Sequence, residues 1–195
     1  MVNLLKFLKT PLPNNTKVRF LLIARMLWDK GIGHYVEAAR LLNHRGIDAE
    51  YCLLGFLDVQ NPDAISKKSM KEMISEDNVR YLGISDNVQE EIAKADCIVL
   101  PSFYPEGTPK ALLEGAAMAR PIITTNTPGC KDVVDDGYNG FLCNPRDVYD
   151  LAEKMEHIVL MSHAERMKMG LLSRLKAETK FDENFVIQSY LNAIE

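Results

Sequence analysis

The fold is decided by the stretch DCIVLPSFYPEGTPKALLEGAAMARPIIT, residues 96–124. It opens with a short run that is almost wholly apolar, as strands covered on both faces of a sheet are. A loop containing proline and glycine follows, then a segment of helical period, and then a second apolar run. A strand, a helix and a strand in this order are typical of a parallel sheet with helical crossovers.

The same alternation extends in both directions from this stretch. It predicts an α/β fold with a doubly wound parallel sheet, followed by carboxy-terminal helices. Such folds bind ligands where loops leave the carboxyl ends of the strands. The predicted strands are 18–24, 51–54, 79–82, 96–101, 121–124 and 140–143, and the predicted helices are 34–44, 62–75, 88–94, 109–119, 148–160, 163–177 and 183–194, with a helical turn near 130–134.

Composition narrows the class of protein. The chain has 195 residues, of which 47% are hydrophobic and 26% charged, as expected for a globular domain with a substantial core. The formal net charge of -4 gives no general attraction for polynucleotides, so no nucleic-acid partner is expected. The four cysteines lie far apart without zinc-ligand spacing, and we interpret them as reduced thiols of a cytoplasmic protein.

Membrane segments are not expected either. The apolar residues 1–8 lack the cleavage pattern of a signal peptide. No apolar run approaches the ~20 residues needed to span a bilayer. Any membrane contact is therefore expected to be peripheral.

The loop after the strand 96–101 has the features of an anion site. Thr108 is a good N-cap and Pro109 a good first helical residue, so the helix is predicted to begin there with unpaired amides. The free amides of about Gly107 to Ala111 would lie at the positive end of the helix dipole, worth roughly 0.3–1 kcal/mol per charge. Lys110 adds a cation.

Two carboxylates flank this helix start, because Glu106 and Glu114 form a Glu-x7-Glu spacing. At ~1.5 Å rise per residue they would bracket the anion site over roughly 8–12 Å, a span that suits a sugar on one side and a ribose on the other. Both ligand ends carry paired hydroxyls, which carboxylates accept well. The spacing alone also fits a first-turn acid and a solvated helix face.

A basic loop follows the first strand and contains Arg25 and Lys30. Both cations could point into the crevice and neutralise a diphosphate, which would stabilise it as a leaving group. They could equally be surface charges of an ordinary loop. Trp28 could line the crevice or simply pack, and the backbone around Ile84, after the third strand, could contact a base or form a simple turn.

Together these motifs resemble the family-4 retaining glycosyltransferases of the GT-B fold, specifically their carboxy-terminal half. The resemblance runs from about residue 18 to residue 191. It rests on IARMLWDKG, YLG, ADCIVLPS, EGTPKALLEGAAMARPIITTNTPG, DGYNGFL, NPRD and a closing FDE helix.

The resemblance implies a role for each candidate residue. Arg25 and Lys30 match the basic pair that grips the donor diphosphate, Glu106 the acid that contacts donor-sugar hydroxyls, and Glu114 the acid that binds the ribose. The amides after Glu106 match the phosphate cradle, and the backbone near Ile84 matches the base contact. The implied reaction is sugar transfer with retention from a nucleoside-diphosphate sugar, with UDP as the expected nucleotide. No cofactor or metal ion is implied.

The resemblance also predicts how the chain is organised. Residues 1–16 would be an interdomain linker remnant, 17–180 the nucleotide-sugar-binding domain, and 181–195 a helix that packs toward a missing amino-terminal domain. The segment Val2–Phe7 is similar to the family's Val-Asp-Leu-x-x-Phe linker. Since the acceptor site of such enzymes lies across the cleft, this chain is expected to bind the donor without appreciable transfer. The implied acceptor is a glycan or lipid-linked acceptor of bacterial polysaccharide synthesis.

Four positions depart from the family pattern. The family usually has glycine where this chain has Ala24 and Arg120, alanine where it has Gly115, and glutamate where it has Asp132. A glycine inside a helix costs about 1 kcal/mol relative to alanine, and Arg120 is expected to make its turn less permissive.

Two other functions stay open, a GT-B-like UDP-sugar epimerase and a non-catalytic nucleotide-sugar-binding module. A dinucleotide-binding oxidoreductase is disfavoured because no Gly-x-Gly-x-x-Gly follows a strand.

Overall fold

The structure, a computed structural model, describes residues 1–75, 79–105 and 107–192. Within these ranges one parallel sheet is built from β1 (Val18–Ile23), β2 (Ala49–Leu54), β3 (Val79–Tyr81), β4 (Cys97–Leu100), β5 (Ile122–Thr125) and β6 (Gly140–Cys143). The strand order is β3-β2-β1-β4-β5-β6, with all pairs parallel. The predicted doubly wound α/β fold is confirmed, and the order reverses between β1 and β4, where such folds bind ligands.

Helices cover both faces of this sheet. Right-handed crossovers in opposite directions from the centre place the helices after β1 and after β4 on opposite faces. The helices are α1 (Ile32–His44), α2 (Lys67–Ile74), α3 (Val88–Lys94), α4 (Lys110–Ala117), α5 (Val148–Leu160), α6 (His163–Lys176) and α7 (Glu183–Asn192), with a π-helical turn at Ala177–Phe181. Helix α1 packs against α5, and α4 against α6.

The core lies between the central strands and these helices. Every residue of β4 is buried, which explains its almost wholly apolar sequence. The hydroxyl of Tyr35 ties α1 to the sheet, donating to Phe20 O at 3.2 Å and accepting from Cys52 N at 3.2 Å. All four cysteines are free and buried, as predicted.

The helix predicted at 62–75 is shorter than expected and begins at Lys67. The backbone before it is engaged elsewhere, because Ile65 N donates to Met26 O at 2.9 Å in the loop that follows β1. The side chain of Ser66 then caps the first turn of α2. A contact distant in sequence therefore overrides the local helical pattern.

The turn after α4 differs from one expectation, namely that Arg120 makes this turn less permissive. The residue in the left-handed region is Ala119, with φ 60°, so Arg120 does not make the turn less permissive. Arg120 is instead fully buried. Gly115 has a packing reason, since a Cβ there would lie 2.6 Å from Ile98 Cγ1 on β4.

The amino-terminal segment packs on the domain rather than extending from it. Val2, Phe7 and Leu12 are buried, and the segment runs antiparallel to α6. That residues 1–16 are a linker remnant and residues 181–195 a helix that packs toward another domain stays a prediction. The contacts along the segment are Val2 N to Phe181 O at 2.8 Å, Arg174 Nη1 to Phe7 O at 2.9 Å, and His163 Nε2 to Leu12 O at 3.3 Å.

Candidate functional site

The loops after β1 and β4 cross at the carboxyl edge of the sheet. The carbonyl of Asp29 accepts from Phe103 N at 3.1 Å and from Ser102 Oγ at 3.2 Å. At the same crossing Gly31 approaches Pro101 so closely that a Cβ would lie 2.2 Å from the Pro101 carbonyl oxygen. The basic loop and the loop that leads into α4 therefore share one fixed backbone contact.

The two predicted cations lie on the first of these loops. Arg25 is exposed and follows the end of β1 after one intervening residue. Lys30 is half-buried, ends a short 3-10 turn, and directly follows Asp29 at the crossing. Trp28, at the start of that turn, is 43% exposed, so it lines the surface rather than the core, and a Cβ at Gly33 would lie 3.3 Å from its ring.

Helix α4 begins one residue later than predicted. Pro109 has an extended backbone, with φ -65° and ψ 127°, and acts as the N-cap in place of Thr108. Its carbonyl accepts the first helical bond from Leu113 N at 3.2 Å. The amides of Lys110, Ala111 and the next residue precede that bond and point out of the helix start. Gly107 and Lys110 are exposed, and Thr108 and Ala111 are half-buried.

Of the two predicted acids, Glu106 lies outside the described residues, so the span between the two carboxylates stays a prediction. Glu114 is half-buried at the edge of a cavity of about 180 Å³ that Asn3, Lys6 and Lys110 also line. Burial raises the pKa of the Glu114 carboxyl, and the nearby charges of Lys6 and Lys110 partly offset this. Glu183 lines the same cavity, so its two lysines face two carboxylates, a polar lining that suits a hydroxylated ligand.

The predicted base-contact loop leaves β3 at the same edge of the sheet. Ile84 is exposed, and the preceding Gly83 has φ +80°. The carbonyl of Gly83 accepts from Gly55 N at 2.8 Å, which fixes this loop beside the end of β2. The structure thus places Ile84 on the same edge as the basic loop.

Hydroxyl groups join the exit of β5 to the exit of β4. The Thr125 hydroxyl donates to Ser102 O and lies 2.9 Å from the Thr127 hydroxyl. The Thr124 hydroxyl donates to Leu100 O at 2.7 Å. Because Ser102 also contacts Asp29, three strand exits form one hydrogen-bonded series at the carboxyl edge.

The sequence did not reveal a stack of side chains at this edge. The guanidinium carbon of Arg146 lies 4.5 Å from the ring centroid of Phe103, and the His34 ring meets the same ring edge-on at 5.5 Å. Burial lowers the pKa of His34, Glu37 raises it, and Arg146 lowers it. The sequence did contain one signal for Arg146. It follows the last strand, and because the exits of parallel strands meet at one edge, it could have been expected there.

The described ranges hold no group of three or more His, Cys, Asp or Glu side chains placed to bind a metal ion. Nor is any described helix long and apolar enough to cross a bilayer.

Solved structures share this architecture. A glycosyltransferase from Rickettsia africae superposes with a TM-score of 0.85 at 21% identity, covering 98% of this chain and 54% of that protein. Anabaena HepE in complex with UDP superposes with a TM-score of 0.85 at 18% identity, covering 99% of this chain and 55% of HepE. At these identities the likeness establishes the fold alone.

Sequence comparison identifies relatives that are longer than this chain. An N,N'-diacetylbacillosaminyl-diphospho-undecaprenol alpha-1,3-N-acetylgalactosaminyltransferase from Campylobacter jejuni is 32% identical, over 88% of this chain and 43% of the relative. The amylovoran biosynthesis glycosyltransferase AmsK from Erwinia amylovora is 26% identical, over 91% of this chain and 44% of the relative. The chain therefore spans less than half the length of these relatives. Residues 6–171 match the family described as glycosyl transferases group 1, and the chain belongs to that family.

Proposed function

We propose that this chain is the donor-binding domain of a retaining glycosyltransferase of family 4 that uses a UDP-sugar in bacterial polysaccharide synthesis. The observation that carries the proposal is the crossing at Asp29, which joins the basic loop to the loop that leads into α4. Its geometry supports a single pocket at the switch point of the sheet. The UDP-bound HepE structure has the same fold, which supports the choice of nucleotide.

In this proposal the diphosphate lies between the basic loop and the start of α4. Arg25 and Lys30 neutralise its charge, and the amides from Gly107 to Ala111 donate to its oxygens. Lys110 contributes a further cation. As the bond to the sugar breaks, the same donors stabilise the negative charge that develops on the leaving diphosphate. We propose that these protein groups serve without a metal ion or cofactor.

The two ends of the donor would meet different groups. We assign Glu106 to hydroxyls of the donor sugar, Glu114 to the ribose diol, and the backbone near Ile84 to the base. A carboxylate that accepts two hydroxyl hydrogen bonds gains both strength and orientation. Retention at the anomeric carbon and transfer of a hexosyl or N-acetylhexosaminyl group belong to the same proposal.

The acceptor is assigned to a second domain. The relatives are more than twice as long as the matched segment, and the Campylobacter relative is named for a diphospho-undecaprenol acceptor. We propose a glycan or lipid-linked acceptor held by an amino-terminal domain, in an enzyme that works in the cytoplasm. This chain alone is then expected to bind the donor without appreciable transfer.

Calorimetric titration with UDP, GDP and ADP tests the donor assignment. We expect UDP to bind most tightly, and Arg25→Ala and Lys30→Ala each to weaken UDP binding by about 1.5–3 kcal/mol, the size of charge-assisted hydrogen bonds. Lys68→Ala on α2, which removes an exposed lysine outside the proposed pocket, is the matched control and should leave the affinity unchanged.

Several results would contradict the proposal. Equal affinity of the two variants and the parent chain would remove the basic pair from the site. Conversion of a UDP-sugar to its epimer without acceptor would favour an epimerase. Nucleotide binding that persists with no transfer, even when the amino-terminal half of a relative is supplied, would favour a non-catalytic module.

The affinity for UDP-glucose should depend on the ionisation of Glu114. Burial raises the pKa of this carboxyl, and the ribose diol needs the ionised form as acceptor. We therefore expect affinity to fall as pH falls through this raised pKa, at a higher pH than for an ordinary glutamate. UDP-glucose is the ligand of choice because its diphosphate lacks the terminal phosphate group that titrates near pH ~6.

Glu114→Gln is the matched variant for this titration. It keeps the shape of the side chain but does not titrate, so its affinity should be lower and nearly flat across the same pH range. A pH dependence that survives unchanged in Glu114→Gln would assign the titration to another group.

A further inference from the structure

The loop that leads from β4 into α4 is anchored at Phe103. Phe103 N donates to Asp29 O at 3.1 Å, close to the exit of β4. Among the described residues, no hydrogen bond between backbone groups reaches the loop from there until Pro109 O accepts from Leu113 N. This stretch contains Glu106 and the first amides of the proposed phosphate site. The direction in which the loop leaves Phe103 therefore bears on where these groups lie.

The ring of Phe103 is contacted by side chains from two other parts of the chain. The guanidinium carbon of Arg146, which follows β6, lies 4.5 Å from the ring centroid. The His34 ring, in the first turn of α1, meets the Phe103 ring edge-on, with 5.5 Å between the centroids and 86° between the ring planes. A cation over an aromatic face and an edge-to-face pair of rings are both attractive arrangements. The two contacts together hold the ring, and with it the start of the loop.

Arg146 belongs to a closed local turn. Its φ of 64° lies in the left-handed region, which residues other than glycine occupy only where the surrounding structure holds them. Asp147 N donates to Asn144 O at 3.3 Å across the turn, and Asn144 N donates to the Asp150 carboxylate at 2.8 Å. Asp147 also caps α5, accepting from Asp150 N at 3.0 Å. The backbone of Arg146 is therefore fixed, although its side chain is exposed.

We propose that Arg146 is a positioning residue for donor binding, because it holds Phe103 and thereby the loop that contains Glu106. This inference rests on the proposed function, and in it Arg146 makes no contact with the donor. When the loop leaves its binding position, the affinity for the donor falls by the factor by which that position is depopulated. An exposed cation–π contact changes such an equilibrium by about two- to fivefold, so the expected loss of affinity is of that size.

The role of Arg146 is tested by calorimetry with UDP-glucose. Arg146→Gln should weaken binding about two- to fivefold, and Arg146→Lys, which keeps a cation without the planar guanidinium, should weaken it less. Phe103→Leu removes the ring, so adding Arg146→Gln to it should cause no further loss. Arg45→Gln is the matched control, because Arg45 is an exposed arginine at the other end of α1 from His34, and it should leave the affinity unchanged.

Limited digestion with chymotrypsin gives a second measurement, which needs no nucleotide. Cleavage after Phe103, located by mass spectrometry, should be faster in Arg146→Gln than in the parent chain. The increase should be by a similar factor, because cleavage follows the population of the opened loop. The Arg146 side chain is exposed, so thermal unfolding of this variant should match that of the parent chain.

The possible failures can be told apart. If the parent chain binds no UDP-glucose, the proposed function fails and the role of Arg146 in donor binding fails with it. If the parent chain binds UDP-glucose and Arg146→Gln binds it equally well, only the role of Arg146 fails. If Arg146→Gln still lowers the affinity in the Phe103→Leu background, the guanidinium contacts the donor directly, which overturns the positioning role.

Discussion

We expect Arg120→Ala to lower the free energy of unfolding by about 3–5 kcal/mol, the size expected when a buried charge leaves its partners unpaired. Arg120 is fully buried, and burial lowers its pKa to about 10, with Asp96 opposing this, so the guanidinium stays charged at neutral pH. A buried charge is tolerated when hydrogen bonds surround it. The effect of the substitution therefore depends on the groups that the guanidinium binds.

Those groups belong to three segments that meet around the guanidinium: the end of α3, the end of α4 and the amino-terminal segment. The guanidinium donates to carbonyls at the carboxyl ends of α3 and α4, of which Ile92 O also accepts from Ala95 N at 3.1 Å. It also binds the backbone of the amino-terminal segment. The bonds are to Ile92 O at 3.0 Å, Ala93 O at 3.1 Å, Met118 O at 2.9 Å, Ala119 O at 3.3 Å, Thr10 O at 3.1 Å, Thr10 Oγ1 at 2.7 Å and Pro11 O at 3.0 Å.

Urea denaturation measures this loss. Arg120→Lys keeps a charge but lacks the planar fork of donors, so it should be intermediate. Arg80→Ala removes an exposed arginine and should change stability by less than ~0.5 kcal/mol. Trypsin should also cut after Lys6 and Lys9 sooner in Arg120→Ala, because the segment loses its attachment. A stability loss below about 1 kcal/mol would show that water replaces the guanidinium at these carbonyls.

The sequence predicted correctly those helices and strands whose boundaries are set by neighbouring residues. The predicted bounds of α3, β6 and α5 agree with the structure. Both helices have a capping side chain next to their first turn, with Asn87 accepting from Glu90 N and Asp147 from Asp150 N. Helix α2 was predicted too long because the backbone before it pairs with the loop after β1, a contact that the local pattern does not contain.

The candidate site shows the same difference between local signals and contacts distant in sequence. The sequence indicated which loops lie at the carboxyl edge, since every strand exit of a parallel sheet meets there. It did not indicate that Arg146 and His34 contact Phe103, because those residues come from three separate loops or helix starts. The positive φ of Arg146, 64°, belongs in contrast to a local turn, in which Asp147 N donates to Asn144 O at 3.3 Å. A pattern of residues along the chain does not contain side-chain contacts between distant loops.

Arg120 illustrates how a departure from a family pattern can mislead. In the sequence it stood where a glycine was expected and suggested a less permissive turn. In the structure the strained position belongs to Ala119, and the arginine side chain joins two helix ends to the amino-terminal segment. In this chain the arginine therefore holds that segment in place, which a pattern of single residues does not convey.

Gly31→Ala is expected to lower the free energy of unfolding by about 2–5 kcal/mol, from backbone strain and a steric clash together. Gly31 has φ +75°, in the left-handed region, and a Cβ would lie 2.2 Å from Pro101 O, a backbone atom that cannot rotate away. The loop that carries Lys30 must then move from the loop that leads into α4. We therefore expect UDP affinity to fall about tenfold or more, since misplaced binding groups lose much of their effect.

Gly46→Ala separates the two causes. Gly46 has φ +74°, almost the same as Gly31, but a Cβ there would meet nothing within 4 Å. This control should cost about 1–2 kcal/mol from backbone strain alone and leave UDP affinity unchanged. Urea denaturation and calorimetry of both variants measure the difference, which is the contribution of the close approach between Gly31 and Pro101. Equal losses of stability in the two variants would mean that the loops adapt to the added methyl group, and that the crossing at Asp29 does not fix the pocket.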